Sequence, residues 1–225
     1  MTERTEALIA ELARDLQPVQ RLPRLRGVAA RVAILALGLV AAQLAFAWQT
    51  DSPWRKPAFA SVDAWTIAAH ALLAAGALAF ALGACVPGRE RLTRSGALLV
   101  AVALGAVVWI GFERLAAWPG LNALAPGWLG TTFACSLGAI VPAALPALFF
   151  ARFASRAAPR RVALALLFGA VAPLGLLTAP GVLGCAYPDE LHHVLGHLLT
   201  PLLGALILCS IALPVLLISR PSLRA

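Results

Sequence analysis

The stretch VALALLFGAVAPLGLLTAP, residues 162–180, carries no charge from end to end and follows directly on Arg160 and Arg161. A helix rises about 1.5 Å per residue and the hydrocarbon core of a bilayer is about 30 Å thick, so roughly 20 apolar residues cross it. The stretch therefore reads as a transmembrane helix with a basic anchor at one end. Five others read the same way, near 28–48, 64–86, 96–117, 130–151 and 194–218. The third is the weakest, because Glu113 and Arg114 interrupt it near its end. The expected fold is all-α, a polytopic membrane protein with six transmembrane helices.

The basic residues orient these spans. Fifteen arginines fall on one side: Arg4, Arg14, Arg21, Arg24, Arg26 and Arg31, then Arg89, Arg91 and Arg94, then Arg152, Arg156, Arg160 and Arg161, and finally Arg220 and Arg224. The other side has only Arg55, Lys56 and Arg114. Cytoplasmic loops collect Arg and Lys, so both the N- and the C-terminus are expected in the cytoplasm. The net charge of +8 is explained by this topology, and no direct nucleic-acid contact is expected. With 61% hydrophobic and 12% charged residues, the loops are too short to hold a sizeable soluble domain. The first 27 residues are polar and the first apolar run is long enough to remain as a span, so no cleaved signal peptide is expected. The organisation that follows is a cytoplasmic segment 1–27, a six-helix domain 28–219 and a tail 220–225.

Within the N-terminal segment, Leu8, Leu12 and Leu16 recur every four residues with Ile9 beside them, which places them on one stripe of a helix. Glu3, Glu6, Glu11, Arg14 and Asp15 lie largely off the stripe, and Pro18 favours an end near Leu16 or Gln17. Such a short amphipathic helix is marginal alone in water, so it is expected to dock. Membrane lipid, its own bundle and the groove of a partner protein are all candidate surfaces.

Four cysteines divide by depth. Cys85 and Cys209 fall at or within spans, where a small apolar side chain suits packing. Cys135 opens the fourth span on its outer side and Cys185 follows the fifth, so the expected topology brings both to the external surface. Their pairing leaves three uses open: a structural disulfide, a redox switch or a soft-metal site. Asp189, Glu190, His192, His193 and His197 lie nearby. His193 and His197 are four apart and share a face of an α-helix, so a metal site would draw on Cys135, Cys185, His193 and His197. The competing expectation leaves His192 and His193 solvated and His197 hydrogen-bonded inside the bundle. The sequence HVLGH lacks the Glu of an H-E-x-x-H metalloprotease. His70, beside Ala68, Ala69 and Ala71, and Gln43 are expected to be packed and satisfied.

The segment LARDLQPVQRLP, Leu12 to Pro23, resembles the N-terminal signature of the NrsF family of six-span bacterial membrane anti-sigma factors. The likeness extends to the six-span layout, a Cys opening the fourth span, and a Cys-bearing external loop before a His-bearing sixth span, here Cys135, Cys185 and His197. Where the family tends to carry an Arg pair after Pro-Val, this chain has Gln20 and Arg21. The resemblance implies a non-enzymatic protein of the bacterial inner membrane, with no cofactor, that sequesters an extracytoplasmic-function sigma factor. Its N-terminal segment would hold the partner through Leu12, Asp15, Pro18, Val19, Arg21, Leu22 and Pro23, with Leu8 and Leu16 adding buried area. It would release the partner on a periplasmic metal or oxidant signal read through Cys135 and Cys185. Two other classes fit less well. A transporter would show ionisable groups at the midplane or an inverted repeat, and a thiol-disulfide oxidoreductase commonly carries C-x-x-C; neither pattern is present.

Overall fold

Long uncharged runs rich in Ala and Leu satisfy their own backbone groups only as helices once water is gone. A computed structural model of the protein describes residues 5–7, 11, 23–49, 61–120, 126–157, 159, 161–185, 187 and 189–219. Helices account for nearly all of them: α1 Leu25–Gln49, α2 Ser61–Ala84, α3 Glu90–Ala116, α4 Trp128–Ala157, α5 Val162–Leu177, α6 Ala179–Gly184 and α7 Glu190–His193. A π-helical turn Val194–Leu198 and α8 Thr200–Ser219 complete the chain, and there is no strand among the described residues.

Leu25–Phe46, Ala64–Ala84, Glu90–Ala116, Trp128–Ala157 and Val162–Gly184 are each long and apolar enough to cross a membrane. Glu190–Leu198 and Thr200–Leu216 form a sixth such crossing when the two, bent by 41°, are taken as one. Three spans differ from the sequence reading. The third is not interrupted by Glu113 and Arg114: the helix runs through them because Arg114 is buried and its Nη1 donates to Glu190 Oε2 at 2.7 Å. The fifth breaks at Thr178 and continues as α6. The sixth starts at Glu190 rather than 194, because Asp189 caps it, its Oδ1 accepting from the Leu191 N–H at 2.8 Å.

Small residues set how closely the helices pack. Ala36, Ala77, Ala81, Ala103, Ala143, Ala165 and Ala205 are buried, whereas Ile34, Trp65, Val102, Val108, Val141 and Ile211 are exposed. That inversion of the usual pattern suits a protein whose surroundings are as apolar as its core. Helix α5 is the central element, packed against α1, α2, α4 and α8, and α2 lies along α3. The α2–α3 contact depends on glycine. A Cβ on Gly96 would meet the Gly76 carbonyl oxygen at 2.7 Å and come closer still to the Phe80 nitrogen, and one on Gly76 would lie 2.8 Å from Leu99 Cβ.

Two ends of the bundle differ. Val28 near the start of α1 and Leu213 and Leu216 near the end of α8 share an apolar cluster with Leu82, Cys85, Phe150 and Ala154. The two terminal helices thus begin and end at the same end of the bundle. Arg24, Arg26, Arg31, Arg89, Arg91, Arg94, Arg152, Arg156 and Arg161 flank this cluster in sequence and are exposed. The opposite end is closed by Ala69, Val107, Ile110, Val194 and Leu198, next to the histidine-bearing turn.

Because the contacts of Gly96 are to backbone, which cannot swing aside, Gly96→Val should destabilise the protein by about 1–3 kcal/mol. Gly105, with nothing within 4 Å of an added Cβ, is the control. Gly105→Val should stay within about 0.5 kcal/mol of the parent. Thermal melting in detergent or nanodiscs compares the two.

Candidate metal centre

Three elements converge at the end of the bundle opposite the exposed arginines, the end where buried Arg114 pairs with Glu190. Cys135 lies in the second turn of α4, one turn beyond Thr132. Cys185 ends α6, its N–H still bonded to the Gly181 carbonyl at 3.0 Å while its own backbone is extended (φ −75°, ψ 111°) and turns the chain away. The third element is α7 with the π turn behind it. In that turn the Leu199 N–H reaches back five residues to the Val194 carbonyl at 2.9 Å. An α-helix aligns residues four apart, whereas a π turn aligns residues five apart. His192 and His197 therefore face the same way, with ring centroids 5.2 Å apart.

The donor atoms of Cys135, Cys185, His192 and His197 all lie within 4.8 Å of one another. His192 and His197 are buried, and none of the four cysteines is in a disulfide. The hydrogen bonds fix the protonation of His192. Thr132 Oγ1 donates its one proton to the Trp128 carbonyl at 2.8 Å, so at 2.9 Å from His192 Nδ1 it accepts the ring N–H. Nε2 is then the nitrogen with a free lone pair, and it faces Cys185 Sγ at 3.1 Å. His197 presents a different feature: its Nε2 is buried with no hydrogen-bond partner. Its ring lies over Gly181, where a Cβ would come within 2.8 Å of Nδ1, so only glycine leaves space for the imidazole.

Of the residues named for a metal site from the sequence, Cys135, Cys185 and His197 come together, and His192 is the fourth member. His193 points elsewhere, its Nε2 donating to the Tyr187 carbonyl at 2.9 Å. The expectation of a solvated His192 is overturned by its complete burial. Missing it follows from assuming α-helical spacing. His70 is packed as expected, Nε2 lying 3.3 Å from the Leu198 carbonyl oxygen, but it is not fully satisfied, because its Nδ1 is buried without a partner; Cys85 is buried in the core. Gln43 Nε2 donates to the Gly138 carbonyl at 2.7 Å. Of the residues expected to hold a partner, Leu8, Leu12, Asp15, Leu16, Pro18, Val19, Arg21 and Leu22 lie outside the described residues, and Pro23 is exposed just before α1.

Two sulfurs and two imidazole nitrogens match the donor preference of Zn²⁺ and of softer ions. In a tetrahedral zinc site with bonds of about 2.0–2.3 Å, donors sit roughly 3.3–3.8 Å apart. The observed group needs only a small contraction to reach that. Thr132, by fixing the His192 tautomer, does what the outer partners of metal-bound histidines do. Comparison of the chain with known protein families, curated proteins and solved structures finds no match.

The same contacts govern thiol chemistry. The Cys135 thiol, donating to Cys185, holds the Cys185 thiol well below its ordinary range against the effect of burial. A lowered value means the thiolate persists as pH falls. In metal-free protein, alkylation of Cys185 at pH 6.5 should therefore run near its rate at pH 8.5, whereas an ordinary thiol of pKa about 8.5 slows by one to two orders of magnitude. Cys135→Ala, which removes the donor, should restore the ordinary pH dependence. Mass spectrometry of iodoacetamide-labelled peptides reads both.

Proposed function

We propose that the chain is a membrane-anchored anti-sigma factor of NrsF type whose external gauge is the Cys135, Cys185, His192 and His197 group. The observation that carries this reading is that four soft-metal donors from three separate elements meet at one end of a bundle of apolar helices. Metal capture at such a point ties α4, the end of α6 and the π turn together. The arginines at the other end support placing that end, and both termini, in the cytoplasm of a bacterial inner-membrane protein, with the cluster facing the periplasm.

In this reading the segment 1–27 holds an extracytoplasmic-function sigma factor. Leu8, Leu12 and Leu16 supply about 1.5–3 kcal/mol for each side chain fully buried. Asp15 and Arg21 supply orientation, and Pro18, Val19, Leu22 and Pro23 shape the segment that leads into α1. The protein performs no catalysis; its output is the release of its partner. An oxidant is a second signal consistent with the contact between the two sulfurs: it removes two electrons, the one proton shared by the thiolate–thiol pair leaves, and a Cys135–Cys185 disulfide forms that abolishes the metal site. A thiol-disulfide oxidoreductase would use the same pair but needs a redox partner to recycle it.

Purification of the tagged protein from its host, with and without residues 1–26, tests the partner. A sigma factor should co-purify with the full chain and be lost on truncation, and its absence from both samples sinks the reading. Leu12→Asp should lower capture by at least about tenfold, the equivalent of one buried leucine, with unchanged membrane insertion. Metal binding is tested separately. Structural zinc sites provide about 10–16 kcal/mol from four ligands, so removing one should cost roughly 3 kcal/mol, or about 100-fold in affinity. Cys185→Ser and His192→Ala should both show that loss in Zn²⁺ titrations against a chelator, and His193→Ala should not.

A further inference from the structure

Beside the donor group lies a small space of about 10 Å³, bounded by Gln43, Cys135, Gly138, Ala139, Thr178 and His197 among others. That is room for about one water molecule. Two of the residues around it each hold a buried polar atom without a partner, Gln43 Oε1 and His197 Nε2. The orientation of the Gln43 amide is fixed, because its Nε2 donates to the Gly138 carbonyl on α4 at 2.7 Å, leaving the oxygen as the unpaired end. One orphan is thus an acceptor. The other is an imidazole nitrogen, Nε2, which becomes a fixed donor when the ring's Nδ1 is given to a metal.

We infer that Gln43 is the residue through which the metal centre reaches α1, its Oε1 accepting the ring N–H that His197 turns away from the donor group. The bond is direct or runs through the single water the space admits. This inference rests on the metal reading of the site. Without metal the imidazole proton is free to sit on either nitrogen, and Gln43 has no fixed donor to face. With metal the tautomer is set, and α1 gains an anchor to the histidine-bearing turn beside the one it already has to α4. Gln43 lies eighteen residues along α1 from Leu25, about 27 Å at 1.5 Å per residue, so one rigid helix connects the centre with the segment that precedes α1. Gln43 is a positioning residue, acting on the metal only through His197.

The test uses the full chain in lipid nanodiscs with Cd²⁺ as the probe, followed by the thiolate-to-metal absorption band. Gln43→Leu should weaken Cd²⁺ binding by about 10–100-fold, the usual cost of losing the partner of a ligating histidine. Gln43→Glu keeps an acceptor and should restore most of the affinity. At saturating Cd²⁺, trypsin cleavage at Arg21, Arg24 and Arg26 should change in the parent and stay at its metal-free rate in Gln43→Leu. Parent-like affinity in Gln43→Leu, or a parent-like cleavage change, overturns the role of Gln43 while leaving the metal site standing. Absence of the Cd²⁺ band in the parent overturns the metal reading itself, and this inference with it. If Gln43→Leu fails to assemble, Gln43→Met, unbranched and similar in length, carries the same test.

Discussion

A backbone carbonyl in hydrocarbon has no water to turn to, and every irregularity in this bundle is shaped by that fact. The break at Thr178 is tolerated because its N–H and its hydroxyl both bond the Leu174 carbonyl. The wide turn after His193 keeps its own backbone bonds by shifting them one residue back. Thr200 Oγ1 then takes the Gly196 carbonyl at 2.8 Å, next to Pro201, which has no N–H to offer. Thr132 and Ser136 bond the carbonyls four residues earlier in α4. The hydroxyls that stabilise the helices at this end also arrange the site, since Thr132 holds His192 and Ser136 meets Thr200 at 3.1 Å.

Relative energies indicate what such a centre can do. Each hydrogen bond among the thiols, imidazoles and hydroxyls contributes on the order of 1 kcal/mol net. A fully ligated soft metal contributes about 10–16 kcal/mol, comparable with the whole folding stability of a typical domain. The arrangement of α4, α6 and the π turn without metal is therefore held by weak, individually replaceable contacts, and with metal by one dominant one. A signal of that size does not need a finely poised hinge to be felt at the other end of rigid helices.

Most of the architecture was legible in the sequence because length and apolarity alone decide it: every apolar stretch became a helix, and nine of the arginines expected on one side flank one end among the described residues, with Arg114 at the other. The boundaries shifted where a single residue intervened. Asp189 was readable as an N-cap followed by Glu190, and would have started the last span four residues earlier. The pairing of Arg114 with Glu190, 76 residues apart, was not readable, because no local pattern links them. The donor group was half legible. Cys135 and Cys185 were placed together by topology, but the choice between His192 and His193 turns on the pitch of five residues. That pitch leaves no local sequence pattern to read, since the bond that defines it joins the Leu199 N–H to the Val194 carbonyl five residues back. Residues 8–22, on which a partner reading depends, lie almost wholly outside the described structure.

The π turn makes chain length, and not only residue identity, a determinant of ligand choice. Relative to an α-helix it holds one extra residue, like a vernier set one division off. Deleting one residue between Val194 and Gly196 would give His192 the four-residue spacing of an α-helix, whereas relaxing to α-helical pitch at the present length would bring His193 round to the place His192 now occupies. The ring would then approach without Thr132 behind it to fix its proton. An imidazole would still be present and the count of donors unchanged, yet the centre would have lost its preset lone pair. Among proteins built on this plan, the spacing between the two inward histidines and the pitch of the turn that joins them would therefore have to change together.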